Sequence, residues 1–167
     1  MSHHATTTRY TYGMNNHDPL QPHSHDNNEV PPNDDPTITV VVPDGATHLL
    51  DVAALQLLPQ TTYTYEYHTD HGVHGPYALV GVALRDLVDA VYSAEWQQAE
   101  IISADGFGNR VSAEEVYATK GNPILLCYQS DETLLTRQHG LIRLVVPSET
   151  DNALRQVKWV ATIRLVA

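Results

Sequence analysis

An α+β fold with mixed β-sheets and a few short helices is predicted by three features of the chain. Short β-branched runs recur, as in Thr37–Val42, Glu100–Ser103 and Ile124–Tyr128. Thr61–Tyr67 alternates Thr or Glu with Tyr, which places Tyr63, Tyr65 and Tyr67 on one face of a strand. One segment instead has helical spacing: Leu84, Leu87, Val88 and Val91 within Gly81–Tyr92.

Taken in order, residues 1–36 are polar, rich in Asn, His, Asp and Pro, and without a hydrophobic period. Such a segment buries too little apolar surface to offset the entropy of ordering, so a disordered tail is expected there. Its His3, His4, His17, His23 and His25 are too scattered to define a metal site. One folded domain is expected over 37–167. Thr37–Val42 is the first strand, ended by the turn Pro43-Asp44-Gly45. Asp51 caps a short helix, Val52–Leu58, before Pro59. The Tyr-rich strand follows, then a loop over His68–Pro76, then the helix from Gly81.

A strand at Glu100–Ser103 leads into the tight sequence Asp105-Gly106-Phe107-Gly108-Asn109. Ser112 and Glu115 have capping-box spacing for a helix to about Thr119, broken by Gly121-Asn122-Pro123. In the strand Ile124–Tyr128, Cys127 reads as a small buried hydrophobe. Two last strand-like runs, Leu141–Val146 and Val157–Val166, flank a polar excursion. Around them stand Arg137, His139, Arg143 and Lys158, in a chain with only nine Lys plus Arg. Guanidinium and ammonium groups donate several hydrogen bonds and carry charge, which suits an oxyanion. Strand-end surface residues would show the same pattern.

The 167 residues suffice for one domain with a core. A net charge of −11 argues against nucleic-acid binding and against adsorption to anionic membranes. With one cysteine, no intramolecular disulfide forms. Neither a signal peptide nor a membrane-spanning run is visible, so a cytoplasmic location is expected.

The run Arg137-Gln138-His139-Gly140-Leu141-Ile142-Arg143-Leu144-Val145-Val146-Pro147, followed by Val157-Lys158-Trp159, resembles the pterin-binding domain of the sulfite oxidase family. That family carries Arg-x-His-Gly-x-Pro-x-Arg-hydrophobic-Val-x-Pro and then Val-Lys-Trp; the Pro is missing here. Asp105-Gly106-Phe107 matches its Asp-Gly-aromatic motif, and the resemblance extends back to about residue 38. Ser130-Asp131-Glu132-Thr133-Leu134 stands where the family has an Asn-Gly turn. The resemblance implies a sulfite oxidase-type fold. It also implies a molybdopterin-type pterin cofactor whose phosphate tail is held by basic side chains, here Arg137, His139, Arg143 and Lys158.

Family enzymes bind molybdenum through a cysteine just after the strand matching Thr61–Tyr67. This chain has His68-Thr69-Asp70-His71-Gly72 there, and Cys127 comes far too late in the order. His68, His71 and His74 form His-x-x-His-x-x-His, and one tight turn would let three imidazoles take a divalent metal, with His48 as an outside fourth ligand. Gly72, Gly75 and Pro76 oppose such a turn. Three readings stay open: a domain binding a pterin or another small anionic ligand without standard sulfite oxidase chemistry, an atypical molybdenum oxidoreductase served by a separate redox partner, or a non-catalytic interaction module.

Overall fold

The computed structural model describes Leu20, residues 34–151 and residues 154–167. The expected tail over 1–36 therefore lies outside the described residues, except for Leu20 and 34–36. Leu20 is buried, and its methyl lies beside Gly108.

Two five-stranded sheets make up the domain. The first has the order β2-β1-β10-β5-β6, from β1 (Ile38–Val41), β2 (Thr47–Leu50), β5 (Gln98–Ser103), β6 (Gly108–Ser112) and β10 (Val160–Val166). Only β1 and β10 run parallel, so the last strand returns beside the first and closes the domain. The second sheet has β3 (Thr61–Thr69), β4 (Gly72–Ala83), β7 (Leu125–Ser130) and β8 (Thr133–Leu134) in that order, with β9 (Arg143–Val145) also paired to β7. Helices α1 (Val52–Gln56), α2 (Leu84–Val91) and α3 (Ala113–Val116) are short. The mixed α+β prediction matches this architecture.

Local chemistry explains most boundaries. The Asp51 carboxylate caps α1 by accepting from the Ala54 N–H, and Ser112 and Glu115 form the reciprocal capping box of α3. α3 ends at Val116, sooner than expected. Gly81 is a strand residue instead of a helix start. It sits at a register shift of β4 against β7, where a Cβ would collide with the Leu126 carbonyl, so the strand continues to Ala83 and α2 begins at Leu84. β2, β4, β6 and β8 have no counterpart among the predicted strands. His68–Pro76 is no loop either: β3 and β4 pair to Thr69↔Gly72 around a two-residue turn.

Period-2 alternation in the second sheet decides where the core ends and the site begins. Leu126 and Tyr128 of β7 and Leu144 of β9 point into the main core with Ile38, Val40, Leu87 and Ile163. Leu125 and Cys127 of β7 and Val145 of β9 point to the opposite face, where they meet Tyr63, Tyr65 and Leu79. That outer face carries the cavity described next.

Candidate functional site

A cavity of about 430 Å³ lies on the outer face of the second sheet. This is within the roughly 300–1,000 Å³ common for small-molecule sites. Its floor is apolar: Leu79 from β4, Cys127 from β7 and Val145 from β9. One wall is aromatic. Tyr65 and Tyr67 come from alternate positions of β3, and Tyr77 stands opposite Tyr65 in register on β4. Tyr65 and Tyr67 stack with ring centroids 5.7 Å apart. Burial raises the Tyr65 pKa, so it remains a phenol, and its hydroxyl donates to the Glu149 carbonyl at 2.6 Å.

The facing corner is cationic and holds Arg143, Lys158 and His139. Arg143 is cross-strand from Cys127 and shares its face. Leu141, the expected start of this strand, instead precedes β9 with φ +55°, so Val145 is the strand neighbour that shares the face of Arg143. The Arg143 guanidinium donates from Nη2 to Gln156 Oε1 at 2.7 Å, while its Nε and the Gln156 Nε2 are buried with no hydrogen-bond partner. Two buried donors left unpaired are costly, roughly 1–3 kcal/mol each, unless something else accepts from them. Lys158 lies next to this group. Desolvation and the Arg143 guanidinium both lower its pKa, and because the residue as a whole is exposed, the like charge is the cause that the geometry supports directly.

The backbone that brings these cations together is strained. Trp159 has φ +51° and Leu141 φ +55°, a region that bulky residues rarely enter. Hydrogen bonds hold them there: Trp159 N–H to the Gly140 carbonyl at 2.9 Å, Trp159 Nε1–H to the Arg137 carbonyl at 2.8 Å, and Leu141 N–H to the Thr136 carbonyl at 3.2 Å. Gly140, at φ +95°, is the spacer between the cationic stems; a Cβ there would lie 3.0 Å from the Lys158 Cβ and 3.1 Å from the Arg143 Cγ. His139 Nδ1 is 3.0 Å from Thr136 Oγ1. Of the four expected anion-binding residues, His139, Arg143 and Lys158 line the cavity, whereas Arg137 is outside its lining and contributes its carbonyl to Trp159.

The three histidines of the β3–β4 hairpin do not converge. His74 pairs with Tyr67, stacks on it at 4.8 Å, and has Nε2 2.7 Å from Thr69 Oγ1. His68 pairs with Val73, one position along, and strand alternation sends it to the other face. His71 is in the turn, and His48 belongs to β2 in the other sheet. Among the described residues no group of three His, Cys, Asp or Glu side chains is arranged to hold a metal ion. The expectation of a curled metal loop is corrected by strand pairing, which spends the hairpin's backbone on a ladder.

Cys127 does more than fill the core, because its thiol lines the cavity. It donates to the Gln129 carbonyl, with Sγ and O 3.2 Å apart, and burial raises its pKa above the usual thiol value. Gln156, Asp131 and Cys127 are cavity residues that sequence reasoning missed; only the alternation of β7 carried a signal for Cys127.

A family model described as "Oxidoreductase molybdopterin binding domain" matches residues 47–167. Among solved structures, the sulfane dehydrogenase SoxCD from Paracoccus pantotrophus is similar in fold, with a TM-score of 0.65 and 21% sequence identity. The alignment covers 84% of this chain and 40% of that one, so the chain spans well under half of that relative. No curated protein matches the chain in sequence.

Proposed function

This chain belongs to the oxidoreductase molybdopterin binding domain family, and from that premise we propose that its outer-face cavity binds a pterin or another small anionic ligand without standard sulfite oxidase chemistry. The observation that carries this reading is the pair of buried, unpaired donors, Arg143 Nε and Gln156 Nε2, beside Lys158 at the cavity wall. A phosphate or carboxylate seated there accepts from both donors and offsets the repulsion between Arg143 and Lys158. His139 adds a further nitrogen at the same corner.

The residues present fit the anionic, organic part of a pterin cofactor and do not fit the metal part. Where sulfite oxidase-type enzymes carry the molybdenum-binding cysteine, this chain has a paired hairpin with Asp70 and His71 at its turn. The cavity's own thiol, Cys127, is held protonated by burial and already donates to a backbone carbonyl. An imidazole or a buried thiol does not replace a soft thiolate ligand. No redox step is therefore assigned to these residues. Their work is to bind the anion, orient the ring and exclude water.

Titration of the wild type, Arg143→Ala and Lys158→Ala with a pterin phosphate tests the reading. Each variant is expected to lose about tenfold to a hundredfold in affinity, the worth of a charge-assisted hydrogen bond of about 1.5–3 kcal/mol. Equal and negligible binding by all three proteins would remove the proposal. Molybdenum analysis and turnover with an artificial electron acceptor, on protein made in a host that synthesises the cofactor, separate ligand binding from molybdenum chemistry.

A further inference from the structure

The chain that leads into Val157 is fastened to both sheets. On the second sheet, Leu144 of β9 and Val157 exchange backbone hydrogen bonds of 2.8 and 3.2 Å. On the first, Arg155 is held at β6 and α3. Its guanidinium meets the Glu115 carboxylate as a fork, Nη1 to Oε1 at 2.5 Å and Nη2 to Oε2 at 3.2 Å, and Nη2 also donates to the Arg110 carbonyl at 3.1 Å. The Arg155 carbonyl accepts from the Asn109 side-chain amide at 2.9 Å, and Asn109 is only 2% exposed. A forked guanidinium–carboxylate pair fixes direction as well as distance. None of Asn109, Glu115 and Arg155 lines the cavity. Gln156 stands between the two fastenings and does line it, and there its Oε1 accepts from Arg143.

Resting on the anion-binding reading, we propose that Arg155 and Glu115 are positioning residues for the cavity, acting through Gln156 from the edge of the first sheet. Gln156 has two tasks at the site. Its Oε1 orients the Arg143 guanidinium, and its Nε2 is one of the two buried donors without a partner. Both tasks need the backbone at 155–156 in one place. Released from Glu115, the chain before Val157 gains freedom, and the amide no longer meets Arg143 at a single angle. Ordering it then falls on the ligand, and affinity drops by the fraction of molecules with the amide in place. Charge alone predicts the opposite for one substitution. Glu115→Gln removes a negative charge, which through space favours an anion. Glutamine serves equally in a capping box, so α3 keeps its cap while the ion pair with Arg155 is lost. Positioning therefore predicts weaker anion binding where electrostatics predicts tighter.

Titration of the full chain with inorganic phosphate, followed in ¹H–¹⁵N spectra, tests this, because the spectra report both affinity and the Gln156 side-chain amide. The proteins are wild type, Glu115→Gln, Gln156→Ala and the double variant. Glu115→Gln should weaken phosphate about threefold to tenfold and, without ligand, move the Gln156 amide signals toward those of an exposed glutamine. In the Gln156→Ala background the same substitution should cost less than about twofold, since residues that act through one another are not additive. Arg155→Lys, which keeps the charge without the fork, should lose as much as Glu115→Gln. Unchanged or tighter binding by Glu115→Gln, or an equal loss with and without Gln156, overturns the proposal while anion binding stands. If the wild type binds no phosphate, the anion-binding reading falls. Gln156 signals that stay in place in Glu115→Gln then overturn the positioning as well, and signals that move uphold it.

Discussion

Replacing Glu132 by glycine should stabilise the protein, for a reason located in two backbone angles. Asp131 and Glu132 form the two-residue connection between β7 and β8, whose flanking pair is Ser130↔Thr133. Both have positive φ, +48° and +68°, as a type I′ hairpin turn requires. Asp is among the few side-chain-bearing residues that enter that region, and Asp131 is held there by the Ala78 N–H of β4, which donates to its Oδ1. Glu is not among them, and the left-handed conformation costs a side-chain-bearing residue about 1–2 kcal/mol. Glycine removes that strain but adds about 0.4–1 kcal/mol of unfolded-state entropy to be lost on folding. The difference leaves a net gain of about 0.5–1 kcal/mol, or a rise in Tm of about 1–4 °C for a chain of this size. Urea or thermal unfolding of Glu132→Gly measures it. Glu132→Ala serves as the control: it removes the same charge and keeps a Cβ at positive φ, so it should stay within about 0.5 kcal/mol of wild type. Equal stabilisation by both variants would show that charge, not backbone strain, was the cause. Destabilisation by glycine would refute the turn argument outright.

Two further outcomes follow from the cationic corner and from the capping box. Gly140→Ala should lower affinity for an anionic ligand about tenfold and reduce stability by about 1–2 kcal/mol, because the new Cβ meets the Lys158 and Arg143 stems and sits at φ +95°; calorimetry and unfolding curves with unchanged affinity would count against the spacer role. The Arg155 guanidinium, then burial acting in the opposite sense, then the Ser112 N–H set the Glu115 pKa, with a net lowering. A carboxylate whose folded pKa is depressed contributes stability that is present above its unfolded value, about 4.3, and lost as pH falls through the folded value. Glu115→Gln should therefore flatten the acid limb of the stability curve, and an unchanged limb in acid unfolding would contradict the assignment.

Much of this fold was legible because it rests on local rules. Asp51, Ser112 and Glu115 announce their helices by side-chain chemistry close along the chain, and both caps are present. The tyrosine alternation in Thr61–Tyr67 produces the aromatic wall. Where the reading failed, pairing partners decided. Gly72, Gly75 and Pro76 look like a loop in isolation, yet Thr69↔Gly72 and Tyr65↔Tyr77 are ladder pairs because β4 runs on from β3. Gly75–Pro76 simply lies at the register shift between Tyr65 and Tyr67. β2 and β6 carry little hydrophobic period of their own and exist because β1 and β5 offer them edges.

By itself the sequence determined the α+β class, the caps, the aromatic strand face and the identity of the cations that stand around the last two strands. The tertiary structure alone decided which of those groups share a cavity. Arg143 and Lys158 are separated by a polar excursion, and strand pairing of β9 with β7, together with the Trp159–Gly140 hydrogen bond, brings them to one corner. The same pairing placed Cys127 on the floor and kept Arg137 out of the lining. Spacing along a chain prescribes faces and turns over a few residues. Proximity across the sheet depends on register between strands, which is set by burying one face of each, and so becomes definite only when the whole core forms.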